Sequence, residues 1–192
     1  MLMKNLLRLT FLAIISPICS YAAPFMAIGD GAELFITGSL GVRADDNIFL
    51  TTDATSDLIF NIDPGVDLVF GRNAQVRGSL ALVESFSKFA DNTSLNSSLF
   101  SGDFISNYDD GKLKMELLAK FHELNQNVFD VRSFPGSGEG FVRRDILTLG
   151  GKSEVEISQI SSVGFAIRFE DENYKQAGFT DLETLEIPLI WY

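Results

Sequence analysis

Leu58-Ile59-Phe60-Asn61-Ile62-Asp63-Pro64-Gly65-Val66-Asp67-Leu68-Val69-Phe70 decides how the rest of the sequence is read. From Leu58 every second residue is apolar, through Phe60, Ile62, Pro64, Val66 and Leu68 to Phe70, and Asn61, Asp63, Gly65 and Asp67 stand between them. Side chains on an extended strand point to opposite faces in turn, so a period of two gives a strand with one apolar and one polar face. The run is long: soluble strands average about five or six residues, whereas a strand crossing a bilayer at a tilt needs about 9–11. Pro64 lacks a backbone donor and is expected at a bulge or an irregular rung.

The alternation recurs on both sides of this stretch. Between Glu33 and Arg43, Leu34, Ile36, Leu40 and Val42 share a face with Gly38, against Thr37, Ser39, Gly41 and Arg43. Downstream, Val76, Leu80, Leu82 and Phe86 oppose Gln75, Arg77, Ser79 and Ser85, with Glu84 and Lys88 misplaced on the apolar side. Phe100, Phe104 and Tyr108 oppose Ser101, Asp103 and Asn107, though Ile105 blurs this run. Leu113, Met115, Leu117, Ala119 and Phe121 oppose Lys112, Lys114, Glu116, Lys120 and His122. Leu147, Leu149, Val155 and Ile157 oppose Thr148, Lys152, Glu154 and Glu156; Val163, Phe165, Ile167 and Phe169 oppose Arg168 and Glu170; Leu185, Ile187, Leu189 and Trp191 form the eighth run.

The connections alternate as well. Gly71–Asn73, Asp109–Lys112 and Ser158–Ser161 are short, and Asp110-Gly111 suits the positive φ of a tight hairpin. Ala44–Ser56, Ala90–Ser97, Asn125–Gly140 and Asp171–Asp181 are long and polar. Short turns at one end and long loops at the other are the pattern of an outer-membrane barrel of a Gram-negative cell. The expected fold is therefore all-β: an antiparallel transmembrane β-barrel of about eight meander strands, or half of a larger barrel.

Residues 1–22 read as a secretory signal peptide, leaving 23–192 as the β-barrel domain. Lys4 and Arg8 precede an apolar run from Leu6 to Ile15, and Ser20 and Ala22 are small residues at the two positions a signal peptidase reads. Cys19 is the one cysteine and falls inside that segment, which leaves the remainder without disulfides or thiolate metal sites. The formal charge is −11, and removing residues 1–22 makes it two units more negative, which disfavours nucleic acid as a partner. No later segment has eighteen consecutive apolar residues, so helical spans are excluded.

A soluble secreted β-sandwich serving as a binding or adhesion module would also alternate. Run length favours the barrel, as do charges of both signs on the polar faces (Lys112, Lys114, Glu116, Lys152, Glu154, Arg168). So do aromatics near strand ends: Phe70, Phe86, Tyr108, Phe121, Phe169, Trp191 and Tyr192. Glu84 is expected near the outer rim, paired with Lys88.

Gly41-Val42-Arg43-Ala44-Asp45-Asp46-Asn47-Ile48-Phe49-Leu50, Thr55-Ser56-Asp57-Leu58-Ile59-Phe60, Pro64-Gly65-Val66-Asp67-Leu68 and Tyr108-Asp109-Asp110-Gly111-Lys112 resemble bacterial outer-membrane β-barrel proteins of the porin type. The resemblance covers most of the chain after the signal segment, and its motifs are turns and strand patterns rather than catalytic signatures. Porin-type members are commonly about twice this long, so the resemblance leaves open a small eight-stranded barrel and a truncated N-terminal half. It implies an outer-membrane location, with membrane lipid and the outer-membrane assembly machinery as partners. The ligands of the extracellular loops are unspecified. The assembly machinery commonly reads an aromatic residue that ends an apolar alternation; Tyr192 supplies the aromatic, but Glu186 and Pro188 occupy its alternate positions.

No enzymatic, cofactor or metal site is expected. His122 is the lone histidine and reads as a lumen or rim residue. Gly136-Ser137-Gly138 is a loop signal and not a nucleophile elbow, and no glycine loop with lysine is present for phosphate. Asp45-Asp46-Asn47 and Asp171-Glu172-Asn173 read as acidic loops with a weak capacity for calcium. A secreted hydrolase would need a constellation around His122 that the sequence does not assemble. The function expected is that of a structural or porin-like barrel, with passive solute passage only as part of a larger barrel.

Overall fold

A computed structural model describes residues 23–127 and 141–191; residues 1–22, where the signal peptide is expected, most of the Asn125–Gly140 connection and Tyr192 lie outside them. The described chain is one antiparallel sheet in meander order. Its strands are β1 (Met26–Ile28), β2 (Ala32–Asp45), β3 (Asp57–Phe70), β4 (Val76–Phe89), β5 (Ser97–Asp109), β6 (Leu113–Asn127), β7 (Phe141–Ser158), β8 (Ser161–Tyr174), β9 (Leu182–Glu186) and β10 (Leu189–Trp191). Thr93–Leu95 forms a single 3₁₀ turn.

Seven of the eight expected strands appear as single elements, β2 to β8. The eighth is split at Ile187-Pro188 into β9 and β10, yet both halves lie on β8 in one alignment, with Leu185 opposite Phe169 and Leu189 opposite Phe165. Ala166 N–H donates to the Pro188 carbonyl at 3.1 Å and carries the pairing across the break. β1 was not expected. Gly29, at φ 59°, turns it back onto β2, with Met26 opposite Leu34.

Three strands run past their expected ends. β6 continues to Asn127, β7 begins at Phe141 rather than Leu147, and β8 continues to Tyr174. Asp171-Glu172-Asn173 is therefore strand and not an acidic loop.

The short turns form where expected. Gly71 takes φ 75°, and a Cβ there would stand 1.9 Å from the Val76 carbonyl oxygen, so the β3–β4 turn requires glycine. In the β5–β6 turn Gly111 alone has positive φ, at 92°. Asp110 holds the turn by accepting from the N–H of Lys112 and Leu113 at 3.0 and 2.8 Å. Pro64 does sit at an irregular rung: β3 pairs with β4 at Ile62–Phe86 and again at Gly65–Val83, with no pairing between. A β-bulge at Glu156/Ser158 leads into the β7–β8 turn.

The sheet is not closed. β2 is paired along its whole length with β3, but on its other edge only Ala32–Leu34 meet β1. β9 and β10 pair only with β8.

Candidate functional site

The strand register sorts the side chains into two faces. One face carries Leu34, Ile36, Leu40 and Val42 of β2 opposite Leu68, Val66, Ile62 and Phe60 of β3. It continues through Leu80 opposite Phe104, Met115 opposite Tyr108, Ala119 opposite Leu149 and Gly151 opposite Ile167, to Leu185 opposite Phe169 and Trp191 opposite Val163. No second layer covers it among the described residues. Among the described residues twenty-eight large apolar side chains are exposed, against five that are buried. That inverts the rule for a soluble domain, in which exposed apolar patches stay small.

This apolar face is a band of limited height. It spans Leu113–Phe121 on β6 and Leu147–Val155 on β7. At about 3.4 Å per residue and a 40° tilt, such a length gives a band roughly 20 Å tall. Aromatics mark both margins: Phe86, Phe100, Phe121 and Phe169 toward the long loops, Phe70, Tyr108 and Trp191 toward the short turns. Phe100 and Phe121 lie 6.2 Å apart by ring centroid, Phe70 and Phe104 6.4 Å. The band also crosses the hydrogen-bond ladder obliquely. At the long-loop margin Phe60 is opposite Lys88, Phe86 opposite Ser98 and Leu147 opposite Asp171. Such a band is level only when the strands are tilted, which is the stagger of a barrel wall.

The centre of the band holds a shallow groove of about 510 Å³, floored by Ala119 and Gly151 and walled by Phe104, Leu117, Leu149 and Phe169. Glu84 is the one acid near the upper margin of the band on β4. It accepts a hydrogen bond from the Ser98 hydroxyl on β5, and Lys88 is not its partner.

The opposite face is polar. Asp103 receives His122 at 3.1 Å and Lys120 at 3.4 Å. Arg168 pairs with Glu170 at 2.9 Å, and Ser162 donates to Glu154 at 2.8 Å. A cavity of about 360 Å³ at the short-turn end is lined by Lys112, Lys114, Glu154, Glu156 and Ser162. This face also bears apolar side chains in its middle, including Ile105 directly opposite Leu118.

Beyond the long-loop margin the two faces exchange character. The polar face of the band gives way to apolar clusters: Ile48, Ile59 and Phe89 with Phe49 and Leu95, and Val142 and Tyr174 with Phe179. The apolar face gives way to ion pairs, Arg143–Glu123 at 3.0 Å and Lys175–Asp145 at 2.6 Å. Two buried polar knots hold this rim.

Asp57, 6% exposed, receives Asn92 through both its backbone N–H and its side-chain amide at 2.8 Å, and the N–H groups of Ala90, Asp91 and Leu58. Burial alone would raise its pKa, but the Asn92 amide and these backbone donors together bring it down to about 2. Arg144 meets Glu172, the Tyr174 hydroxyl at 3.3 Å and Gln126 at 2.6 Å. Burial opposes its charge, and the bonds to Glu172 and Tyr174 outweigh that and raise its pKa. Neither knot was singled out from sequence. Asp57 follows Ser56 as an ordinary loop-edge acid, and apart from Leu58 its donors, at Ala90, Asp91 and Asn92, lie more than thirty residues away.

Asp45-Asp46-Asn47 closes on itself. Asn47 N–H donates to Asp45 at 3.1 Å and its amide to the Thr51 carbonyl at 2.8 Å. Among the described residues no three histidine, cysteine or acidic side chains are placed to hold a metal ion. Comparison with protein-family models, curated proteins and solved structures finds no match to this chain. No family or homologue therefore stands behind the porin-type resemblance. The architecture supports the coarser statement, an all-β antiparallel meander sheet compatible with a barrel.

Proposed function

We propose that this protein is an outer-membrane β-barrel, structural or porin-like, whose apolar band faces lipid and whose polar face lines the interior. The observation that carries this reading is the uncovered, oblique apolar band with aromatic margins. Lipid is a solvent in which such a face is favourable, and the pairing of each strand to its neighbours satisfies the backbone within it. A soluble sandwich would need a second sheet over this band, and all described strands belong to one sheet. The long loops then lie outside the cell and the short turns in the periplasm, as the alternation of connection lengths requires.

The test is a gel on membrane fractions of cells expressing the full chain, run with and without boiling. Outer-membrane material whose mobility changes on boiling is the expected result. Chain recovered in soluble form without detergent would overturn the reading in favour of a secreted module.

A further inference from the structure

Two edges of the sheet stand open in this structure, and a membrane leaves no room for open edges, because each unpaired backbone group in hydrocarbon costs several kcal/mol. Resting on the membrane reading above, we propose that β2 and the β9–β10 strand pair with each other within one chain. This closes eight strands around an interior filled by its own side chains rather than a solute channel.

Direction and chemistry match at the seam. β2 runs toward the long-loop end and β9–β10 runs away from it, so the pair is antiparallel. The outward residues of both edges are apolar and are among the most exposed of the molecule: Leu40 79%, Val42 62%, Leu189 80%, Trp191 74%. The levels of the band place Leu40 beside Leu189. A second copy could offer the same edge, but it would make a sixteen-stranded wall around a wide aqueous lumen.

The interior face selects between the two. β3 presents Asp63 and Asp67 inward. Asp63 takes only the Ser39 hydroxyl, and Asp67 has no hydrogen bond or ion pair among the described residues. Lys114 on β6 likewise has no ion pair there. In an eight-stranded ring β3 lies across from β7, which bears Thr148, Lys152 and Glu154 inward, with β6 and its Lys114, Glu116 and Lys120 next to it. Closure sets the acids of β3 across from a wall that carries both signs, Lys114, Lys120 and Lys152 beside Glu116 and Glu154. It also buries Ile105, Leu118, Val83 and Ile146, which would otherwise face open water in a wide lumen.

Cysteine pairs test the seam in the full chain with Cys19→Ser as background. Leu40→Cys is combined with Leu189→Cys or, one register away, with Ile187→Cys. The control is Leu34→Cys with Leu68→Cys, which are directly opposite on β2 and β3. After oxidation in isolated outer membranes, a seam pair is expected to give a monomer of altered mobility that reductant restores. A dimer-sized product, or a control that links while neither seam pair does, overturns closure and leaves the membrane reading intact. Chain absent from the outer membrane overturns both.

One further readout concerns the interior. Purified protein in planar bilayers is expected to show no steady conductance, and a stable ohmic pore overturns the filled interior.

Discussion

On β7 the residues Val142 to Asp145 and the residues Leu147 to Lys152 obey opposite rules. In the upper segment Val142 turns to the interior and is buried, while Arg143 and Asp145 face outward in ion pairs. In the lower segment Leu147 and Leu149 face outward and Lys152 inward. The same strand is an ordinary aqueous protein at one end and its inverse at the other. The change falls at the aromatic margin through Phe86, Phe121 and Phe169. On the membrane reading proposed above, the alternation records the solvent on each side of a strand and reverses phase where that solvent changes.

The largest effect expected from disturbing this contrast lies in the upper segment. Arg144→Met leaves Glu172, whose side chain is 8% exposed, as a buried charge without its cation, a loss of about 3–5 kcal/mol. The folded band should weaken on heating, and the double variant Arg144→Met with Glu172→Leu should recover much of the loss. A single variant as stable as the parent would mean that water reaches this knot.

Leu117→Arg attacks the lower segment. An arginine at mid-band on a lipid-facing surface costs about 2–4 kcal/mol, measured as loss of the boiling-dependent mobility shift. If the band faced water, the same substitution would be silent, so this variant tests the inversion directly.

Asp57→Ala should act locally, freeing the donors at Ala90, Asp91 and Asn92. External protease is then expected to cut the 90–96 connection while the sheet stays folded. The pH dependence has a definite sign. The folded pKa of about 2 lies below the ordinary 3.8, so the contribution is complete above about pH 4 and is lost as pH falls through 2. Protease protection of this loop should be flat from neutral pH to about 4 and decline below it.

The smallest change is expected from Glu84→Leu. Near the upper margin a carboxylate costs about 0–1 kcal/mol, and Ser98 already satisfies it, so the variant should be neutral or slightly more stable in the same heating assay.

What the sequence made legible follows the same boundary. The β3 run could be read from Phe60 to Phe70 because that part lies in the band and its two faces stay in phase; Ile59, just above it, already turns an apolar side chain to the other face. The ends of β6 and β8 were read as loops, and the start of β7 was left outside any run, because Glu123, Arg143, Asp145 and Asn173 replace apolar residues outward, which erases the pattern without ending the strand. Ile105 looked like a blemish in β5, yet it has an inward partner in Leu118 that only the register reveals. The β1 hairpin was missed because three residues, Met26–Ile28, are too few to show a period. Asp57 and Arg144 were invisible because their partners are distant in sequence, and a polar knot has no local signature.

The meander order bears on how quickly and in what sequence the wall assembles. Each strand from β2 to β8 pairs with the next through a local connection, so chain entropy is surrendered in hairpin-sized steps and no early contact must wait for a distant one. Hairpins of this kind form in about 1–10 μs in isolation. The exception is whatever meets the free edge of β2, which lies at the opposite end of the chain from β10. In the proposed barrel that single non-local contact would come last and set the pace, and the unpaired Phe35–Asp45 edge is the point at which the sheet is most open to capture by another strand.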